Sequence, residues 1–193
     1  MSRLPLDARL LVRVPGLAGA VSAVLVRLEP GSALRRRLLS RVVRLGFRLE
    51  DRWDFEQVAR LMYEPASELR LHGYGASGLP DRYTGRAGVV AFLDDWEREM
   101  GESTWTPREV IDLGDRVLVR VEVTGTGRTS GVALSHTSGW LFHLSQRGRI
   151  GVHDFYWEWQ NALEAVTPSA ASGSRSADTR HRTSQTDNAP RGE

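Results

Sequence analysis

Hydrophobic and polar positions follow two different rhythms along the chain, one helical in the first half and one alternating in the second. From Ala33 onward Leu34, Leu38, Val42, Leu45 and Leu49 recur at helical spacing, while Arg37, Arg41, Arg44 and Arg48 line another face. Pro30-Gly31-Ser32 separates this amphipathic helix from an apolar stretch before it, with Ser32 placed to cap its N-terminus. Asp54 to Met62 predicts a short helix, with Asp54 as N-cap, Gln57 three residues on, and Phe55, Val58, Leu61 and Met62 as its stripe. Ser67 to Tyr74 alternates Leu69 and Leu71 with Glu68, Arg70 and His72, which predicts a strand that runs into a glycine-rich loop. Ala87 to Met100 is a helix by the spacing of Val90, Leu93, Trp96 and Met100.

Four strands then follow: Thr104–Leu113, Arg116–Thr124, Gly131–Leu144 with a bend at Gly139, and Ile150–Trp157. In the second of these Val117, Val119, Val121 and Val123 share one face, and Leu118, Arg120 and Glu122 the other. A helical turn over Trp159–Val166 closes the pattern. Helix, helix, strand, helix and four strands in antiparallel hairpins predict an α+β fold: a curved antiparallel sheet packed on helices.

Composition narrows the chemistry. The chain has 193 residues and no cysteine, which excludes disulfides, thiolate metal sites and cysteine nucleophiles. All 26 basic residues are arginine, which excludes a catalytic lysine and hints at a GC-rich bacterial origin. The net charge of +2 hides an asymmetry. Residues 1–48 carry +8, residues 49–166 carry −7 and the last 27 carry +1. A basic face on the fold itself is what nucleic-acid binding requires, so an acidic body argues against such a partner. Arg13, Pro15 and Arg27 interrupt the apolar run from Leu10 to Leu28, which predicts neither a membrane span nor a signal peptide. The expected location is cytoplasmic.

For the basic helix three readings stay open. Its arginines are solvated while it packs on its own domain, or residues 1–48 touch an anionic membrane or a partner, or the helix forms a dimer contact. The stretch from Thr167 to Glu193, poor in apolar residues, is expected to be disordered. The organisation is thus 1–35 as an arginine-rich extension, 36–166 as the domain and 167–193 as a tail.

Three stretches carry a resemblance. They are Arg52-Trp53-Asp54-Phe55-Glu56; Tyr83-Thr84-Gly85-Arg86-Ala87-Gly88-Val89-Val90-Ala91-Phe92; and Glu109 to Val119 continued through Gly125, Gly127, Arg128, Ser130, Gly131 and Val132. In this order and spacing, with Ala162-Leu163-Glu164-Ala165 near the end, the chain resembles the SnoaL-like polyketide cyclase family of the nuclear-transport-factor-2-like superfamily. A tryptophan, Trp53, stands where the family usually has glycine. The resemblance implies a cone whose open end holds a pocket for a small apolar molecule, with no cofactor, and members both catalytic and not. Folds of this breadth host many chemistries, so the site must be argued from its own residues.

Asp154 is the leading catalytic candidate. Alternation places it with Ile150, Val152 and Tyr156, and a carboxylate among apolar groups can serve as a general base. The opposite face carries His153, Phe155 and Trp157 and is also apolar enough to be buried. His72 and His136 are further acid–base candidates. Tyr74, Tyr83, Trp96, Trp140 and Tyr156 are expected to line the pocket. The histidines show no metal-ligand spacing on one element, so a metal is not expected. The residue patterns of the family's epoxide hydrolases and ketosteroid isomerases fail here: Leu71, Gly73, Ser138 and Trp140 occupy the hydrolase positions and Arg70 the isomerase base position. What remains is either a pocket protein with proton transfer at Asp154 or a non-catalytic binding module, a homodimer formed through its outer sheet face. Convergence of Asp154, His72 and His136 on one enclosed cavity separates the two.

Overall fold

Strands β1 (Tyr63–His72), β2 (Arg82–Thr84), β3 (Ser103–Asp112), β4 (Arg116–Thr126), β5 (Ala133–Leu144) and β6 (Ile150–Tyr156) form one curved, unclosed sheet in the computed structural model. Their order is β2-β1-β6-β5-β4-β3. Helices α1 (Ala33–Glu50), α2 (Phe55–Met62), α3 (Gly85–Met100) and α4 (Trp159–Val166) complete the fold. The structure describes residues 21, 23–50, 55–127 and 131–167. Most of the extension, the Asp54 cap and the tail beyond Thr167 lie outside the described residues.

β3, β4, β5 and β6 pair as successive antiparallel hairpins, as their alternation predicts. The first strand does not join that series. β1 lies beside β6 in parallel, with Leu69 opposite His153 and Leu71 opposite Phe155, and takes the short β2 on its other edge. Parallel neighbours need a crossover connection, here everything from β2 to β5.

The inner face of the sheet carries the core. Val117, Val119, Val121 and Val123 are all buried, beside Leu69, Leu71, Trp140 and Phe155. Phe92 and Trp96 of α3 and Leu39, Val43 and Phe47 of α1 pack on that face. Each such side chain contributes roughly 1.5–3 kcal/mol on full burial. The buried face of α1 is turned from the expected one. Leu34 is 57 % exposed, and Arg35, Leu39, Val43 and Phe47 are the residues that face the sheet.

Arg35 explains the rotation. It is buried and paired with Asp112 of β3 at 2.9 Å, with Nη1 donating to Leu28 O at 3.0 Å and Nη2 donating to Gly114 O. The Asp112 carboxylate also accepts from the Gly31 and Gly114 amides. Among the arginines and leucines of α1, nothing local distinguishes the one arginine that has a buried acid waiting for it. Ser32 caps α1 as predicted, with the Arg35 amide donating to its Oγ at 3.3 Å.

α4 lies on the other side of the sheet. Ala162 packs with Leu118 and Leu141, flanked by Tyr156, Trp159 and Leu163. A Cβ at Gly139 would stand 2.2 Å from that of Ala162, so the absent side chain is what lets the helix seat against β5.

Candidate functional site

β6 delivers its two most polar residues to opposite sides of the sheet. A bulge near Gly151 shifts the register, so that Ile150 joins the inner core while Val152, Asp154 and Tyr156 face outward. The expected company of Asp154 is therefore corrected for Ile150: alternation does not survive a bulge.

On the outer face Asp154 is buried, and both its oxygens are taken. His72 Nε2 lies 2.9 Å from Oδ1 and His143 Nε2 lies 2.9 Å from Oδ2. Arg70, directly opposite on β1, approaches to 4.0 Å and also pairs with Glu68, which Arg82 holds from the far side. The Tyr156 ring stacks on His72 at 4.4 Å, and burial together with the Asp154 charge raises its phenol above the usual tyrosine range.

The inner face is filled. Trp140 touches Phe47, Trp105, Phe142, His153 and Phe155, with ring centroids 4.4–6.3 Å apart across this cluster. His153 is wholly enclosed by it. Burial pushes its imidazole down to about 3, so it is neutral, and Nδ1 meets the Tyr63 hydroxyl at 3.0 Å. Tyr74 packs edge-on against Trp96, Phe155 and Trp157. Tyr83 is buried too and donates to Asp95 at 3.0 Å. His136 stacks on Trp157 at 3.9 Å, and partial burial lowers its pKa.

Of the three catalytic candidates, then, the structure unites Asp154 and His72 and leaves His136 on the opposite face. The meeting point is the outer surface of the sheet, not an enclosed cavity. Of the expected lining residues, Tyr74, Tyr83 and Trp140 are core, Tyr156 is on the outer face, and Trp96 borders an opening. That opening, about 770 Å³, lies between α2, the end of α3 and β3, where Phe55 and Trp105 stand beside Glu97 and Glu102. His143, the second clasp on Asp154, was not among the candidates. Its place beside Asp154 depends on β5–β6 register, which no local pattern reveals.

A separate cleft of about 130 Å³ lies at the other end of the sheet, roofed by α1 and the helical stretch at 23–27. Leu25, Leu39, Val43, Phe47, Met62, Phe142 and Ile150 line it. Among the described residues Tyr63 is its one titratable side chain, and that hydroxyl is occupied by His153. Sequence reading carries no signal for such a site beyond the apolar residues themselves. Among the described residues no group of histidines and acids is placed to hold a metal ion.

These features match a known class. The model of the SnoaL-like domain family matches residues 43–153, more than half of the chain, and the protein belongs to that family. No curated protein matches it. Among solved structures, TerC co-crystallised with polyporic acid is 20% identical, covering 65% of this chain and 95% of its own, with a TM-score of 0.54. A nuclear-transport-factor-2-like protein of unknown function from Burkholderia pseudomallei is 19% identical over 66% and 96%, with a TM-score of 0.55. A protein described as a SnoaL-like polyketide cyclase from Jannaschia is 19% identical over 67% and 91%, with a TM-score of 0.51. At these identities the likeness establishes the fold.

Proposed function

We propose that the protein is a binding module for a small apolar molecule, held in the cleft beneath α1, and that it works without chemistry at that site. One observation carries this reading: the cleft is lined by apolar side chains, and its single titratable group among the described residues is already bonded. A dry apolar cavity of about 150 Å³ takes up benzene or xenon, so the size here suits a ligand of similar bulk or one branch of a larger one. The proton-transfer reading rests on Asp154, whose oxygens are both held by imidazoles on the outer face, away from either opening. Binding is therefore favoured over catalysis.

The test is a thermal-unfolding series with benzene and indole, paired with Val43→Phe, which fills the cleft. The expected outcome is a dose-dependent rise in Tm for the wild type and none for the variant. A flat response of the wild type, or an equal rise in both, would overturn the reading.

A further inference from the structure

We propose that α1 is a docking face for an anionic lipid bilayer. Leu34, Arg37, Arg41, Arg44 and Arg48 follow one another at steps of three and four, so they form a single stripe along the helix. All five are exposed. From Leu34 to Arg48 the stripe is about 21 Å long at 1.5 Å per residue. No acid occurs in α1 before Glu50 at its end.

The opposite side of α1 is locked. Arg35 is held by Asp112 and two carbonyl oxygens, while Leu39, Val43 and Phe47 are sunk in the core. The helix cannot roll its arginines inward without breaking a buried ion pair, so the stripe is a fixed part of the surface.

Two further features select a bilayer over other polyanions. Among the described residues three large hydrophobics stand well exposed, and two of them, Val24 at 52 % and Leu34 at 57 %, lie at this end of the molecule. Apolar residues beside arginines suit the boundary between headgroups and acyl chains, where arginine stems also bury their methylenes. A phosphate backbone offers them nothing. The charge distribution supplies the orientation: among the described residues, positions 23–48 carry seven arginines against Glu29 alone, while those from 55 to 167 carry 16 acids against ten arginines, and this separation turns α1 toward an anionic plane. Among the described residues no helix is long and apolar enough to cross a membrane.

Vesicle flotation of the full chain tests this, with phosphatidylcholine vesicles containing about 30 % phosphatidylglycerol compared with phosphatidylcholine alone. Binding is expected to the anionic vesicles only, falling at least about tenfold between ~50 mM and ~300 mM salt as charges are screened. Replacing Arg37, Arg41, Arg44 and Arg48 with glutamine should abolish binding while the circular dichroism and Tm stay unchanged. Leu34→Ser should weaken binding several-fold and leave its salt dependence intact. Absence of binding at low salt, or full binding by the glutamine variant, would overturn the proposal. So would duplex DNA binding that matches the vesicles in strength and ignores Leu34→Ser, since the face would then be reading phosphate.

Discussion

His153 and Asp154 are chain neighbours, yet the two faces of the sheet treat them in opposite ways. Inside, an imidazole is surrounded by Trp140, Phe142 and Phe155 and stays uncharged because burial penalises the cation more than the charge of Asp154 favours it. Outside, a buried carboxylate is surrounded by two imidazoles and an arginine that are themselves partly exposed. The inner face spends its polar residues on packing. The outer face keeps them in a charge network with access to water. The difference teaches that a buried carboxylate in this fold class does not by itself mark a pocket: the question is which face it is buried on.

The comparison can be broken most forcefully from the inside. Trp140→Ala should destabilise by about 3–5 kcal/mol, since it empties the centre of the aromatic cluster; urea unfolding measures this. Acidification gives the next effect. The His153 pKa is depressed in the folded state to about 3, so between that value and the ordinary 6.5 only the unfolded chain takes up its proton. Stability from this group is complete above pH 6.5 and is lost as pH falls, by about 2 kcal/mol between pH 7 and 5. Urea midpoints of wild type and His153→Phe at both pH values check it: the variant should show the flatter pH slope. The smallest effect belongs outside. Asp154→Asn should cost about 1 kcal/mol or less, because its partners are more than a third exposed and water replaces them readily. A cost for Asp154→Asn equal to that of Trp140→Ala would erase the distinction between the faces.

Much of the fold was legible in the sequence because its signals are local. The four valines of β4, the stripe of α3 and the turns between β3, β4, β5 and β6 each lie within one element or one hairpin. The candidate site was less legible. Asp154 had two apolar-looking faces to choose between, and the choice depends on pairing with β1, more than eighty residues away. The burial of Arg35 depends likewise on Asp112, which only tertiary packing brings near. Even the rotation of α1 hangs on that pair. Periodicity finds a face; it does not say which distant residue will claim it.

The parallel contact of β1 with β6 has a consequence for the birth of the molecule. During synthesis β1 leaves the ribosome with Leu69 and Leu71 already in place, but its long neighbour emerges only with residues 150–156. Loops that long are slow to close, and a strand edge left waiting is open to wrong partners. Until then the three residues of β2 and the flanks of α2 and α3 shelter it. Nascent chains ending before Ile150 should therefore be the aggregation-prone species, and the last strand acts as the stitch that closes the sheet.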